Sequence, residues 1–413
     1  MNVIINNLKF KAKLNLSNFD LYSIKLNKMK KNLVFILSIF LISCQYNSKN
    51  DFNKTVFKWE DISNKIIERS DLFKGERVLM IAKPGKFDTL VSLLAKKIKD
   101  NNAIYLGTIP VGSYKFPLAW QKDFTKKTKG MTDEELTNYF SDVDLGIMLP
   151  GATPADKEYS AMQNILKKNI GRTIHFHWSG AYDLNGKQLL IDDSKSKFYQ
   201  KALLQTNYSN LYNSQMNFEK AIRNNIVRVL TSEGTDIEFR IGNRPVTMQD
   251  GNASSKREQK ITLIDREIEL PAGAVRVAPL EETVNGKIVF PVSLWGDTKV
   301  ENLILTIING KITNIEASYG EEAVKEELNA AGEAGHSFRE FALGLNPLLS
   351  IPKNNPWIPY YGYGAGVVRL SLGDNSELGG KVKGDYVRWN FFPKATVIIG
   401  SETWVLEGDL IKI

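Results

Sequence analysis

The 413-residue chain carries a single cysteine, Cys44. One cysteine excludes an internal disulfide framework and a zinc site built on several thiolates. A dense basic stripe interleaved with aromatics is also missing. The lysines are scattered among Asn, Asp and Glu, and the formal charge of +8 is modest for this length, so nucleic-acid binding is not expected. No Gly-x-Gly-x-x-Gly and no phosphate-binding loop occurs; only Pro84-Gly85 marks the first strand–helix junction. Dinucleotide and nucleotide chemistry therefore lack their usual signature. Long apolar runs are absent as well. Leu33–Ile42 has ten residues, whereas a spanning helix needs about 20. What remains, 43% hydrophobic and 24% charged residues, is the composition of a globular protein long enough for two domains.

The position of Cys44 says more than its number. Lys30-Lys31, the apolar run and Leu41-Ile42-Ser43-Cys44 resemble a bacterial lipoprotein signal over 29–44, with a basic start, an apolar core and a small residue before the cysteine. On this reading Cys44 is lipidated, becomes the mature N-terminus and holds the protein to a membrane of the bacterial cell envelope, on the periplasmic or surface face. Met29 is then the natural start, and 1–28 is a non-structural N-terminal extension. The polar, Asn-rich 45–55 reads as a flexible tether.

Periodicity organises the rest. Trp59–Ser70 has helical spacing, Arg77–Ala82 is a buried-strand run, and Phe87–Ile98 is helical again, followed by a strand at Asn102–Leu106. A helix over Met131–Phe140 with Thr132 as its cap, a strand at Val143–Leu149, a helix at Ala155–Lys168 and a strand at Arg172–His177 continue the alternation. This predicts an α/β domain with a mostly parallel sheet over 56–232. From Gly234 the pattern changes to short strands and turns, among them Lys260–Leu263, and Asn309-Gly310 is a strong hairpin signal. The second domain, 233–413, is expected to be α+β and rich in antiparallel strands.

Two features bear on chemistry. His175 and His177 alternate on one strand face, which allows a metal pair, but no Asp, Glu or His partner lies close by in sequence; a structural role is the simpler expectation. Near the C-terminus, Arg369 and Arg388 sit in apolar or aromatic strand runs. Arginine is rarely buried without an anionic partner.

Several motifs then converge. Gly234-Thr235-Asp236 with Gly242-Asn243-Arg244, Leu270-Pro271-Ala272-Gly273-Ala274-Val275, Val284-Asn285-Gly286, Ile308-Asn309-Gly310-Lys311, Glu340 to Pro347 and the two arginine-bearing strands appear in order. This set resembles the thermophilic-type metallo-aminopeptidases, the aminopeptidase T, S and II family. The resemblance implies a homodimer and a two-metal centre that removes N-terminal residues from peptides, the ions polarising the scissile carbonyl and generating hydroxide. It also implies five main ligand positions and a nearby tyrosine. At those five positions this chain has Ala274, Glu340, Arg369, Arg388 and Asn390, with Ser376 in place of the tyrosine.

Only Glu340 retains a metal-binding side chain. Arginine keeps its proton at all relevant pH values and cannot coordinate a cation. The expectation is therefore a lipid-anchored, non-catalytic relative with no resident cofactor. Arg369 and Arg388 would pair with Glu340, or with Asn390 would bind a peptide or small carboxylate. The alternatives are an active peptidase with a remodelled site, using zinc, cobalt or manganese with Glu340 as catalytic candidate, and an inert structural envelope lipoprotein. A substitute metal site from His336 and Glu340, four apart on an expected helix, is the weaker metal reading. The connector acids Asp374, Glu377 and Asp385 read as solvated.

Overall fold

A computed structural model describes residues 56–113, 127–260 and 262–412. Cys44, the signal segment, the tether and the N-terminal extension lie outside the described residues. The described residues belong to one compact unit, Thr55–Ile413.

The continuous apolar run Arg77–Ala82 becomes an inner strand of a five-stranded, all-parallel sheet. In order across the sheet the strands are Glu267–Glu269, Arg172–His175, Leu145–Met148, Arg77–Ala82 and Ile104–Pro110. Burial on both faces explains the absence of polar alternation. Val78 and Met80 pack into one apolar cluster, and Leu79 and Ile81 into another on the opposite side. Helices Trp59–Ser70 and Asp88–Asp100 contribute to the first cluster and helix Lys157–Lys167 to the second. Thr132 caps Asp133–Tyr139 in a capping box with Glu135.

Besides the two-stranded pair Ala181–Tyr182 and Gln188–Leu189, the remaining strands form two antiparallel sheets, as the loss of helical periodicity after Gly234 predicts. One has eight strands, ordered Lys311–Glu316, Thr298–Ile308, Asn285–Trp295, Asp236–Phe239, Val227–Leu230, Thr396–Ile399, Glu402–Leu406 and Asp409–Leu410. Its Asn309-Gly310 turn has φ of 51° and 76°, the positive pair a two-residue hairpin requires. The other runs from Val387–Arg388 through Val368–Gly373, Phe338–Gly344 and Ala274–Val277 to Thr247–Met248.

Three local expectations change. The strand expected at Lys260–Leu263 is not found at Lys260, Thr262 or Leu263: the chain makes short helical turns at Ser255–Gln259 and Leu263–Arg266. There the buried Arg257 and Arg266 donate to the carbonyls of Met248 (2.9 Å), nine residues back, and of the distant Gly171 (2.8 Å), and these bonds override local propensity. His336 and Glu340 do not share a helix, since His336 follows the short helix Gly332–Gly335 and Glu340 lies within a strand. Residue Glu267 lies past the expected domain boundary, yet Glu267–Glu269 pairs with Arg172–His175. One apolar cluster runs from Ile62 to Val405 through both halves.

Candidate functional site: a charge-filled centre beside an imidazole pair

Strand register assembles the first centre. Arg276 pairs with Ala342 and Ala342 with Arg369, while Glu340 pairs with Ser371. Period-two alternation puts these side chains on one face of three adjacent strands. The small Ala342 leaves room between the arginines, and Glu340 in the next row is bracketed by both. Arg276 donates to Glu340 Oε2 from Nε (3.1 Å) and Nη2 (2.8 Å). Arg369 Nη2 forms an ion pair with Oε1 at 2.7 Å, and Oε1 accepts a hydrogen bond from the Ser371 hydroxyl at 3.2 Å. Arg339 Nε is 3.9 Å from Oε2. All four charged groups are buried.

Glu377 joins from the connector, pairing with Arg339 and reaching Arg276 at 3.5 Å. It thus joins the cluster from its half-buried edge and is not a free loop acid. Three guanidiniums face two carboxylates, and Arg369 Nε and Nη2 and Arg339 Nε keep no hydrogen-bond partner. Burial pushes the Glu340 carboxyl up, but Arg276, Arg369 and Arg339 outweigh it and hold the group below the ordinary carboxylate range.

The expected contacts are met by Arg369 and not by Arg388. The latter turns away from Glu340. Its guanidinium stacks 3.6 Å from the Trp295 ring centre and binds Glu327 (2.9 Å), the Leu294 carbonyl (2.5 Å) and Asn390 Oδ1 (3.2 Å). Its register pairs it with Leu372, so its side chain projects from the sheet face opposite to the one that carries Arg369 and Ser371. Arg388 and Asn390 instead line a cavity of about 780 Å³ with Tyr182, Lys187, Trp389 and Lys394. Asn390 Nδ2 donates to the Leu370 carbonyl (3.0 Å). Ala274 is buried and has no donor atom, and Ser376 is exposed and bonds Asp374. His336 bonds Asn329 (2.9 Å). The residue missed was Arg276; it stands two after Ala274, so strand alternation alone could have placed it on the same face.

A two-metal centre does not fit these residues. Where the family resemblance implies imidazole and carboxylate donors, the chain supplies guanidiniums that already neutralise the surviving Glu340. The positive charge at this place is covalent.

A second polar centre lies on the parallel sheet. Glu269 pairs in register with His175, so the acid absent near the histidines in sequence arrives from the adjacent strand. One donor atom each from His175, His177 and Glu269 lies within 4.8 Å of the others. The Tyr159 hydroxyl bridges the rings, 3.0 Å from His175 Nδ1 and 3.4 Å from His177 Nε2. Burial first, and then the neighbouring His177, pushes His175 down to about 3, and burial pushes His177 down to about 4. Both imidazoles are therefore neutral at physiological pH. Burial also pushes Glu267 up to about 8, with Glu377 adding to the effect.

Two consecutive tyrosines link the centres. The Tyr360 hydroxyl donates to Glu269 Oε2 (2.9 Å), and the Tyr361 carbonyl accepts from Arg369 Nη1 (3.0 Å). Their φ values of 38° and 56° are unusual for residues of this bulk, and tertiary contacts on both sides hold them there.

Comparisons with known proteins agree with this fold. The sequence model described as thermophilic metalloprotease (M29) matches residues 209–354. Wild-type AmpT from Thermus thermophilus is similar at 14% identity and TM-score 0.55, over 86% of this chain and 100% of that one. The 2,5-dihydroxypyridine dioxygenase from Pseudomonas putida KT2440 is similar at 15% identity and TM-score 0.57, over 86% and 97%. No curated protein sequence matches. The resemblance to the thermophilic-type metallo-aminopeptidases is thus borne out, as is the pairing of a parallel-sheet N-terminal region with antiparallel sheets after it. A peptidase and a dioxygenase on one fold also show that the fold does not choose the reaction.

Proposed function

We propose that the chain is a non-catalytic aminopeptidase-like protein that binds a peptide or small carboxylate. One observation carries this reading: Arg276 and Arg369 clasp Glu340 from both sides where metal ions would be expected. Ions held there would meet fixed positive charge, so the centre supports no two-metal hydrolysis. Ligand binding falls to the cavity of about 780 Å³, where Arg388 and Asn390 stand beside Lys187 and Trp389. A carboxylate there would compete with Glu327 for the Arg388 fork. Among the described residues no helix is long and apolar enough to cross a membrane. Attachment to the cell envelope through Cys44 is part of the proposal, and so is the homodimer implied by the family resemblance.

An aminoacyl-chromogen assay with added zinc, cobalt or manganese tests the first half. No turnover above background is expected. Metal-dependent turnover abolished by Glu340→Gln would overturn it. A thermal-shift screen with short peptides and small carboxylates tests the second half. Stabilisation that falls in Arg388→Ala supports the cavity, and a shift unchanged by that substitution removes Arg388 from binding. The absence of any shift favours the inert envelope protein, a reading that draws on the internal partners found for both arginines.

A further inference from the structure

We propose that His175, His177 and Glu269 form a binding site for one divalent first-row transition-metal ion. None of the three occupies a position at which the family resemblance implies a ligand. The inference goes beyond the non-catalytic reading of the Glu340 centre and does not depend on it.

Imidazole and carboxylate donors suit ions such as zinc, iron(II) and cobalt(II). The donor atoms lie within 4.8 Å of one another, a span that one ion can close by rotation about the side-chain torsions. His175 Nδ1 and His177 Nε2 both face the Tyr159 hydroxyl, which marks where the two ring nitrogens converge. Glu269 Oε1 stands 3.9 Å from His175 Nδ1. The supporting contacts are in place too. The Thr173 hydroxyl lies 3.0 Å from His175 Nε2, and the Tyr360 hydroxyl holds Glu269 Oε2. Such partners fix the ring tautomer and the carboxylate orientation at metal sites. The nearby Arg276 and Arg369 are both paired with Glu340, which offsets part of their charge. His175 is buried, whereas His177 and Glu269 keep partial exposure. Three protein donors leave coordination positions open on that side for water or a small anion.

The test uses untagged full-length protein, cobalt(II) and zinc(II). Cobalt is expected to bind at one equivalent with visible d–d absorption. His177→Gln and Glu269→Gln should each weaken binding roughly tenfold or more, judging from the sensitivity of such sites to altered donors and their partners. His336→Gln should leave it unchanged. The chain has three histidines, so imidazole NMR of the unmutated protein supplies a readout that needs no variant. Zinc should shift the His175 and His177 rings and spare His336. Absence of stoichiometric binding, a response at His336 alone, or unchanged affinity in both folded variants overturns the proposal. Should the variants not fold, the NMR result decides.

Discussion

The two polar centres are built alike and filled differently. Each draws side chains from adjacent strands, with His177 just past the end of the strand Arg172–His175, and the Tyr360-Tyr361 pair touches both. One holds guanidiniums around Glu340; the other holds neutral imidazoles beside Glu269. In the first the cations are covalent parts of the chain, so the carboxylate is neutralised at all times. In the second the donors carry lone pairs with nothing but hydroxyls bound to them. The difference shows that a strand scaffold fixes where side chains meet, while residue chemistry decides whether a metal ion is welcome there.

The largest expected effect breaks the first centre. Glu340→Gln leaves Arg276 and Arg369 buried without their counter-charge, and should cost about 3–5 kcal/mol in urea unfolding. A cost below about 1 kcal/mol would mean that the arginines relax to water. The same variant sharpens the comparison through pH. Because the folded Glu340 carboxyl lies below its ordinary range, its contribution is fully present above the unfolded-state value. It is lost as pH falls through the lower folded value. The stability gap between wild type and Glu340→Gln should therefore be flat from pH 6 to 8 and narrow in acid. A gap that widens in acid would contradict the assignment.

Next comes the imidazole centre. Thr173→Val removes the hydroxyl at His175 Nε2 and should cost about 1–2 kcal/mol, the usual penalty for one orphaned buried partner. Smallest is the cavity wall. Arg388 and Glu327 are partly exposed, so Glu327→Gln should cost about 1 kcal/mol or less by the same denaturation measurement. Should this loss rival that of Glu340→Gln, the contrast between a buried and a half-exposed arginine would fail.

Much of the fold was legible because periodicity survives burial. The doubly buried run Arg77–Ala82, the capped helix after Thr132 and the Asn309-Gly310 hairpin each carry a local signal that the structure keeps. The turns on either side of Lys260 were not legible, since buried Arg257 and Arg266 dictate them through the carbonyls of Met248 and the distant Gly171. The site divides the same way. Arg369 and Glu340 could be paired through the family resemblance, and Arg276 by alternation from Ala274. Glu269 could not be joined to His175 from sequence, because parallel register brings strands together across a long connection. The direction of Arg388 follows from its pairing with Leu372, a register set by a short strand that no periodicity announces.

The most direct measurement is a crystal grown with cobalt(II) or zinc(II) and measured at the absorption edge of the metal. An anomalous peak is expected between His175, His177 and Glu269, and none beside Glu340. A peak at Glu340, with Arg276 and Arg369 displaced from it, would contradict the claim that the chain's own cations have taken the place of metal there.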